Sequence, residues 1–280
     1  MILQKSLDFI IDEWFPLCLW YMKNEVLKEC MLGNKKNIRR TLVMAIINCN
    51  NDSFFTHSRA ATVKIAVEKA LRAEKDGADI IDVGGESTRP GAPYIDEEEE
   101  LERVIPVIQG IRQWTSIPLS VDTRKATVAV AALEAGANII NDISALEDDP
   151  DMGRVCAEYG AVVVLMHKKG SPKIMQHEPF YRNVVAEVVS YLRDAAQRAL
   201  DAGIVRENIV LDPGIGFGKR LEDNTALIRR LATICALGYP VLVGLSRKTF
   251  IGELTGKDVP DRLAGTLAAN AVAVIAGADI

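Results

Sequence analysis

The chain has 280 residues, of which 49% are hydrophobic and 25% charged, a balance typical of globular proteins and long enough for one large α/β core. A formal net charge of −5 gives no basic field for gathering nucleic acid, so any anionic ligand must be held by a few local cations. The cysteines at 18, 30, 49, 156 and 235 form no C-x-x-C and lack histidines at metal spacing, which points to reduced thiols in a cytoplasmic compartment.

Residues 1–40 form an N-terminal extension without regular rhythm, rich in Phe9, Trp14, Phe15, Trp20 and Tyr21. The expectation is a helical cap on the bottom of the following domain, with a regulatory or oligomer-forming arm as the other reading. Its apolar run at 14–22 is far shorter than the roughly 20 residues that span a bilayer, and Asp8, Asp12 and Glu13 precede it. Neither a signal peptide nor a membrane anchor is expected.

From residue 41 one plan repeats, a short apolar β-branched run, a polar loop and a helix-period segment. Strands are expected at 42–47, 79–83, 117–121, 138–140, 161–166, 208–211 and 240–243, with an eighth beginning at 278–280. Helices are expected at 58–76, 97–114, 125–135, 184–202, 224–237 and 260–276, several closed by Gly77, Gly136, Gly203, Gly238 and Gly277. The acidic run 96–100 reads as the first turn of a solvated helix. Polar residues follow nearly every strand, which favours a closed (β/α)8 TIM barrel at 41–280 over an open sheet with one crevice.

Six loops carry the chemistry. IIDVGGESTRPG (80–91) supplies Asp82, Thr88, Arg89 and Pro90, and PLSVDTRKATV (118–128) supplies Asp122. NIINDISAL (138–146) supplies Asn141 and Asp142, and VLMHKKGSPKIMQ (164–176) supplies Met166 and His167. IVLDPGIGFGK (209–219) supplies Asp212 and Phe217, and VLVGLSRKTFIG (241–252) supplies Lys248 and Thr249. Taken singly, each strand-end Asp reads equally well as a helix N-cap, and Met166 as core packing. His167 has no partner at zinc spacing.

In this order the loops resemble those of the dihydropteroate synthases, pterin-binding TIM barrels of folate biosynthesis and targets of sulfonamides. The resemblance covers about residues 41–280. It implies that p-aminobenzoate displaces diphosphate from 7,8-dihydropterin-6-ylmethyl diphosphate, giving 7,8-dihydropteroate. Asp122, Asn141, Met166, Asp212 and Lys248 would then hold the pterin, whose amino-pyrimidinone edge suits carboxylate and amide partners. Thr88, Arg89, Pro90, Phe217 and Thr249 would hold p-aminobenzoate. Asp82, Arg89 and Lys248 are the implied catalytic residues, and Asn48 the implied ligand of Mg²⁺. The implied partners are these small molecules, with no nucleic acid and no membrane. MAIINCNNDSFF (44–55) matches its family counterpart only partly, with Asn50 and Asn51 where Thr-Pro is usual. The family's Arg-x-His anion site and last helix do not follow residue 280, so the eighth βα unit reads as truncated. An unclosed barrel with exposed strand edges is therefore expected, and the family's homodimer is in question. Two further readings stand beside the enzyme, a pterin-binding form with little or no turnover and a pterin-dependent methyltransferase.

Overall fold

The structure, a computed structural model, describes residues 40–49, 59–87, 94–170 and 179–280. Short runs of Val, Ile and Leu form six parallel strands in chain order: β1 (Met44–Asn48), β2 (Ile80–Gly84), β3 (Leu119–Asp122), β4 (Ile139–Asp142), β5 (Val162–Met166) and β6 (Ile209–Asp212). Every residue of β2, β5 and β6 is buried, as a parallel sheet covered on both faces requires. The described helices are α1 (Arg59–Lys75), α2 (Glu97–Arg112), α3 (Ala126–Glu134), α4 (Met152–Glu158), α5 (Val184–Asp201), α6 (Leu221–Arg229), α7 (Leu231–Cys235), α8 (Thr249–Thr255) and α9 (Leu263–Ile275). Gly77, Gly136, Gly203, Gly238 and Gly277 take φ from 76 to 108°, where they end the helices before the next strand.

The ring closes through backbone hydrogen bonds, which corrects the expectation of an open barrel. Leu211 N donates to Pro240 O at 2.9 Å and Asp279 N to Val241 O at 2.9 Å, while Leu42 N donates to Asp279 O at 2.8 Å. Residues 278–280 thus lie between the seventh stave and the first. The carboxylate of Asp279 also accepts from Val241 N at 2.8 Å. Ile280 N also donates to Val241 O at 3.2 Å and Val243 N to Ile280 O at 3.0 Å, so these three residues reach both neighbours; farther along β1, Ile46 is 58% exposed.

The acidic run behaves differently from a wholly solvated turn. Asp96 caps α2, accepting from Glu99 N at 2.8 Å, but Glu100 is fully buried and pairs with Lys125. The expected helix at 224–237 is two helices, α6 and α7, with a break at Arg230, whose φ and ψ are −113° and 20°. A 3-10 turn at Val259–Asp261 precedes α9, and the short helices α4 and α8 were not expected at all.

Candidate active site

Strand register brings the polar residues to one end of the barrel. Asn48 aligns with Gly84, Gly84 with Asp122, and Asp122 with Asn141, so four neighbouring strands end on one layer. A Cβ on Gly84 would lie 3.8 Å from Asp122 Oδ2 and 3.9 Å from Asn48 Oδ1, so glycine leaves the space between the two open. One layer below, Asp82 is buried, and its Oδ2 accepts from Asn141 Nδ2 at 3.3 Å. Its Oδ1 has no protein partner. Burial raises the Asp82 carboxyl, with the side chains of Ser120 and Asn141 opposing. Burial raises Asp122 well above the usual carboxylate range, and the nearby acids Asp82, Glu100, Asp142 and Glu86 push it the same way. Like charges gathered this way favour keeping a proton on the cluster.

Asp142, one residue beyond Asn141, has a structural task. Its carboxylate accepts from Ser144 N, Ser144 Oγ and Leu146 N at 2.7, 2.6 and 2.7 Å, holding Ala145 and Leu146 at φ of 52° and 67°. Those left-handed residues make a tight turn after β4.

Across the barrel, Asp212 is buried at the end of β6 next to Met166, which is also buried, in the paired register. Gly214 N donates to Asp212 Oδ1 at 2.7 Å. Burial raises this carboxyl while Lys248, Gly214 and Lys219 pull it down. Lys248 precedes α8; its Nζ donates to Ile215 O and lies 4.7 Å from the centre of the Phe217 ring. Burial pushes this lysine down to about 8, against the pull of Asp212. Arg247, just before it, takes φ of 51°, and its N–H donates to Thr266 Oγ1 at 3.0 Å. Thr249 is the first residue of α8 and is exposed. Thr88, Arg89 and Pro90 lie outside the described residues, as do residues 1–39 of the extension and 50–58 after β1.

Two sets of residues went unread in the sequence. One is a chain of alternating charges across the loops after β2 to β5. Lys125 bridges Glu100 and Glu86, Arg124 bridges Glu86 and Asp148 at 2.9 Å each, and Lys168 reaches Asp148 at 2.9 Å. The other is Lys219, whose Nζ lies 2.9 Å from His167 Nδ1. The partners in both sets are 20 to 52 residues apart in the chain, so no local period signals them.

A closed parallel barrel with a carboxylate-and-amide floor and a lysine at its mouth defines an enzyme that binds a flat, hydrogen-bonding heterocycle. The family model of the pterin binding enzymes matches residues 44–280. Escherichia coli dihydropteroate synthase is 44% identical over 248 residues, covering 89% of this chain and 88% of that protein. A Xanthomonas albilineans dihydropteroate synthase structure with 4-aminobenzoic acid superposes with a TM-score of 0.80 at 47% identity, covering 86% of each chain. Another, in complex with 7,8-dihydropteroate, gives 0.77 at 42% identity and covers 90% of each. The chain therefore belongs to the pterin-binding enzymes and, among them, to the dihydropteroate synthase family.

Proposed function

We propose that this chain condenses 7,8-dihydropterin-6-ylmethyl diphosphate with p-aminobenzoate to form 7,8-dihydropteroate and diphosphate. The observation that carries the reading is the arrangement of Asp122 and Asn141 on one side of the mouth with Asp212 and Lys248 on the other. Asp122, Asn141 and Asp212 accept from and donate to the pterin edge, and Met166 packs beside Asp212 as an apolar wall. A carboxyl raised by burial, as Asp122 is, responds to positive charge developing on the ring and its methylene carbon more than to the neutral substrate. Asp82 and Asn141 position it. Lys248, cationic below about pH 8, lies between the pterin carbonyl and p-aminobenzoate, Thr249 meets the p-aminobenzoate carboxylate, and Phe217 packs on its ring. Thr88, Arg89 and Pro90 complete that half. No covalent nucleophile is required, because the aromatic amine attacks directly and positioning supplies much of the rate.

A Mg²⁺ ion fits the donor set. Asn48 Oδ1, beside the open space at Gly84, is a hard oxygen of the kind magnesium takes when substrate phosphate and water complete its shell. Bound there, the ion would neutralise charge on the departing diphosphate. Among the described residues Cys49, Cys156 and Cys235 form no disulfide, which suits the cytoplasm, and no described helix is long and apolar enough to cross a membrane.

The test is product formation by the purified 280-residue chain supplied with both substrates and Mg²⁺, read by chromatography. Dihydropteroate that disappears when either substrate is omitted is expected. Dihydropterin binding without product would favour the pterin-binding form, and binding of neither substrate would contradict both.

A further inference from the structure

Between the loop after β5 and the glycine loop after β6 lies a buried cation that the reaction above leaves without a task. Lys219 is 3% exposed. Its Nζ is 2.8 Å from Gly214 O, 3.0 Å from Phe217 O, 3.2 Å from His167 O and 2.9 Å from His167 Nδ1. The two loops meet backbone to backbone. A Cβ on Gly214 would fall 1.9 Å from His167 O and one on Gly218 2.3 Å from Lys169 O, and both glycines sit at φ of 64°. Only glycine permits that approach.

We propose that Lys219 is a positioning residue for the p-aminobenzoate half of the site: its Nζ ties the two loops together and thereby fixes the Phe217 ring and the Ile215 carbonyl on which Lys248 rests. The inference depends on the reaction proposed above. Ile215 and Phe217 lie inside the stretch whose carbonyls, at Gly214 and Phe217, Lys219 binds. Phe217 N also donates to Gly214 O at 3.1 Å, which makes the stretch one tight turn. Asn224 holds the turn from α6, with Oδ1 accepting from Gly216 N at 2.7 Å and Nδ2 donating to Lys219 O at 3.3 Å. Releasing Nζ frees the turn on the side that faces Lys248.

The electrostatics agree with a strut held by neutral acceptors. Burial is the main force pushing Lys219 down to about 7; Asp212 and Asp223 favour its charge, and Lys248 and Lys169 oppose it. Burial, Lys219 and Lys169 push His167 down to about 2, so its ring stays neutral and Nδ1 accepts. An ammonium has three N–H donors for these four acceptors. A methionine of similar length would fill the seam and leave three carbonyls unmet.

The experiment compares the unchanged chain with Lys219→Met, Lys219→Gln, Phe217→Ala and the Lys219→Met/Phe217→Ala double variant. It reads the KM for p-aminobenzoate, kcat, and the calorimetric Kd for a dihydropterin. Lys219→Met should raise the p-aminobenzoate KM by about tenfold or more while the pterin Kd stays within about twofold, since displacing a binding surface by an ångström is costly. Lys219→Gln, with two donors, should fall between. The double variant should match Phe217→Ala alone, because the lysine acts through that ring. A lower kcat at unchanged KM, or equal losses for both ligands, would mean a merely structural lysine and overturn the proposal; so would failure of both lysine variants to fold. If the unchanged chain makes no product, the proposed reaction fails instead, and the calorimetric Kd for p-aminobenzoate replaces KM in the same comparison.

Discussion

The two halves of the barrel mouth are held together by different chemistry. From β2 to β5, opposite charges alternate through Glu100, Lys125, Glu86, Arg124, Asp148 and Lys168. Burial works against the Lys125 ammonium there, but Glu100 and Glu86 outweigh it and raise its pKa. On the other half, Lys219 and Lys248 are bound largely by carbonyl oxygens, and burial leaves them near 7 and 8. A buried cation paired with carboxylates keeps its charge across the physiological range. One paired with neutral dipoles is poised to lose it. The first half is therefore a fixed frame, and the second is where charge and ligand capture respond to conditions.

The frame gives the largest expected effect. Lys125→Met leaves the buried Glu100 without its cation, while Glu86 keeps Arg124, and breaking a buried pair in this way costs roughly 3–5 kcal/mol. Urea unfolding should show the loss, with the p-aminobenzoate KM of the folded protein unchanged; a shift in KM would blur the division between the halves. Lys248→Met should act in the opposite manner, lowering kcat/KM on the order of 10²–10³-fold with little change in the urea midpoint, as loss of one charge-stabilising donor does elsewhere.

pH separates the halves without a mutation. The folded chain holds Lys219 and Lys248 below their ordinary value of 10.5, so both carry protons fully only below about 7. As pH rises through 7 and 8 these protons leave the folded state first. The KM for p-aminobenzoate should climb over that window, because the lysine beside it, Lys248, loses its charge and Lys219 loosens its hold on the turn. The stability contribution of the same two groups should rise between about 7 and 10.5, because the penalty of burying their charge is relieved. Opposite trends in KM and in the unfolding free energy are the expected signature, and parallel trends would contradict it. The smallest effect belongs to Asp96→Ala, which removes the side-chain cap of α2 and should cost about 1 kcal/mol, read as a lower Tm, with no change in either ligand's affinity.

How far the sequence alone reached differs between these parts. Strands six residues long or less were legible because buried parallel strands are nearly continuous apolar runs, and the glycines at 77, 136, 203, 238 and 277 marked where helices stop. Asp122, Asn141 and Asp212 were legible as strand-end residues. Glu100 was not, because an acidic run looks the same whether its last member faces water or folds under onto Lys125, 25 residues away. The α4 and α8 helices have seven residues each, about two turns, too few for a periodic pattern to declare itself. Ring closure depends on backbone groups of Leu42, Val241 and Asp279, helped by the Asp279 carboxylate, and backbone pairing leaves no periodic pattern to read.

The division of the mouth is tested most directly by calorimetric titration of a dihydropterin into Asn141→Ala and Thr249→Ala. Asn141 reaches Asp82 and aligns with Asp122 on the floor, whereas Thr249 opens α8 at the exposed rim. The expected result is a pterin Kd raised about tenfold in Asn141→Ala, the loss of one hydrogen-bonding amide that leaves its pterin partner unmet, and unchanged within about twofold in Thr249→Ala. Equal weakening in the two variants, or a greater loss at Thr249, would contradict the assignment of the floor to pterin and the rim to p-aminobenzoate.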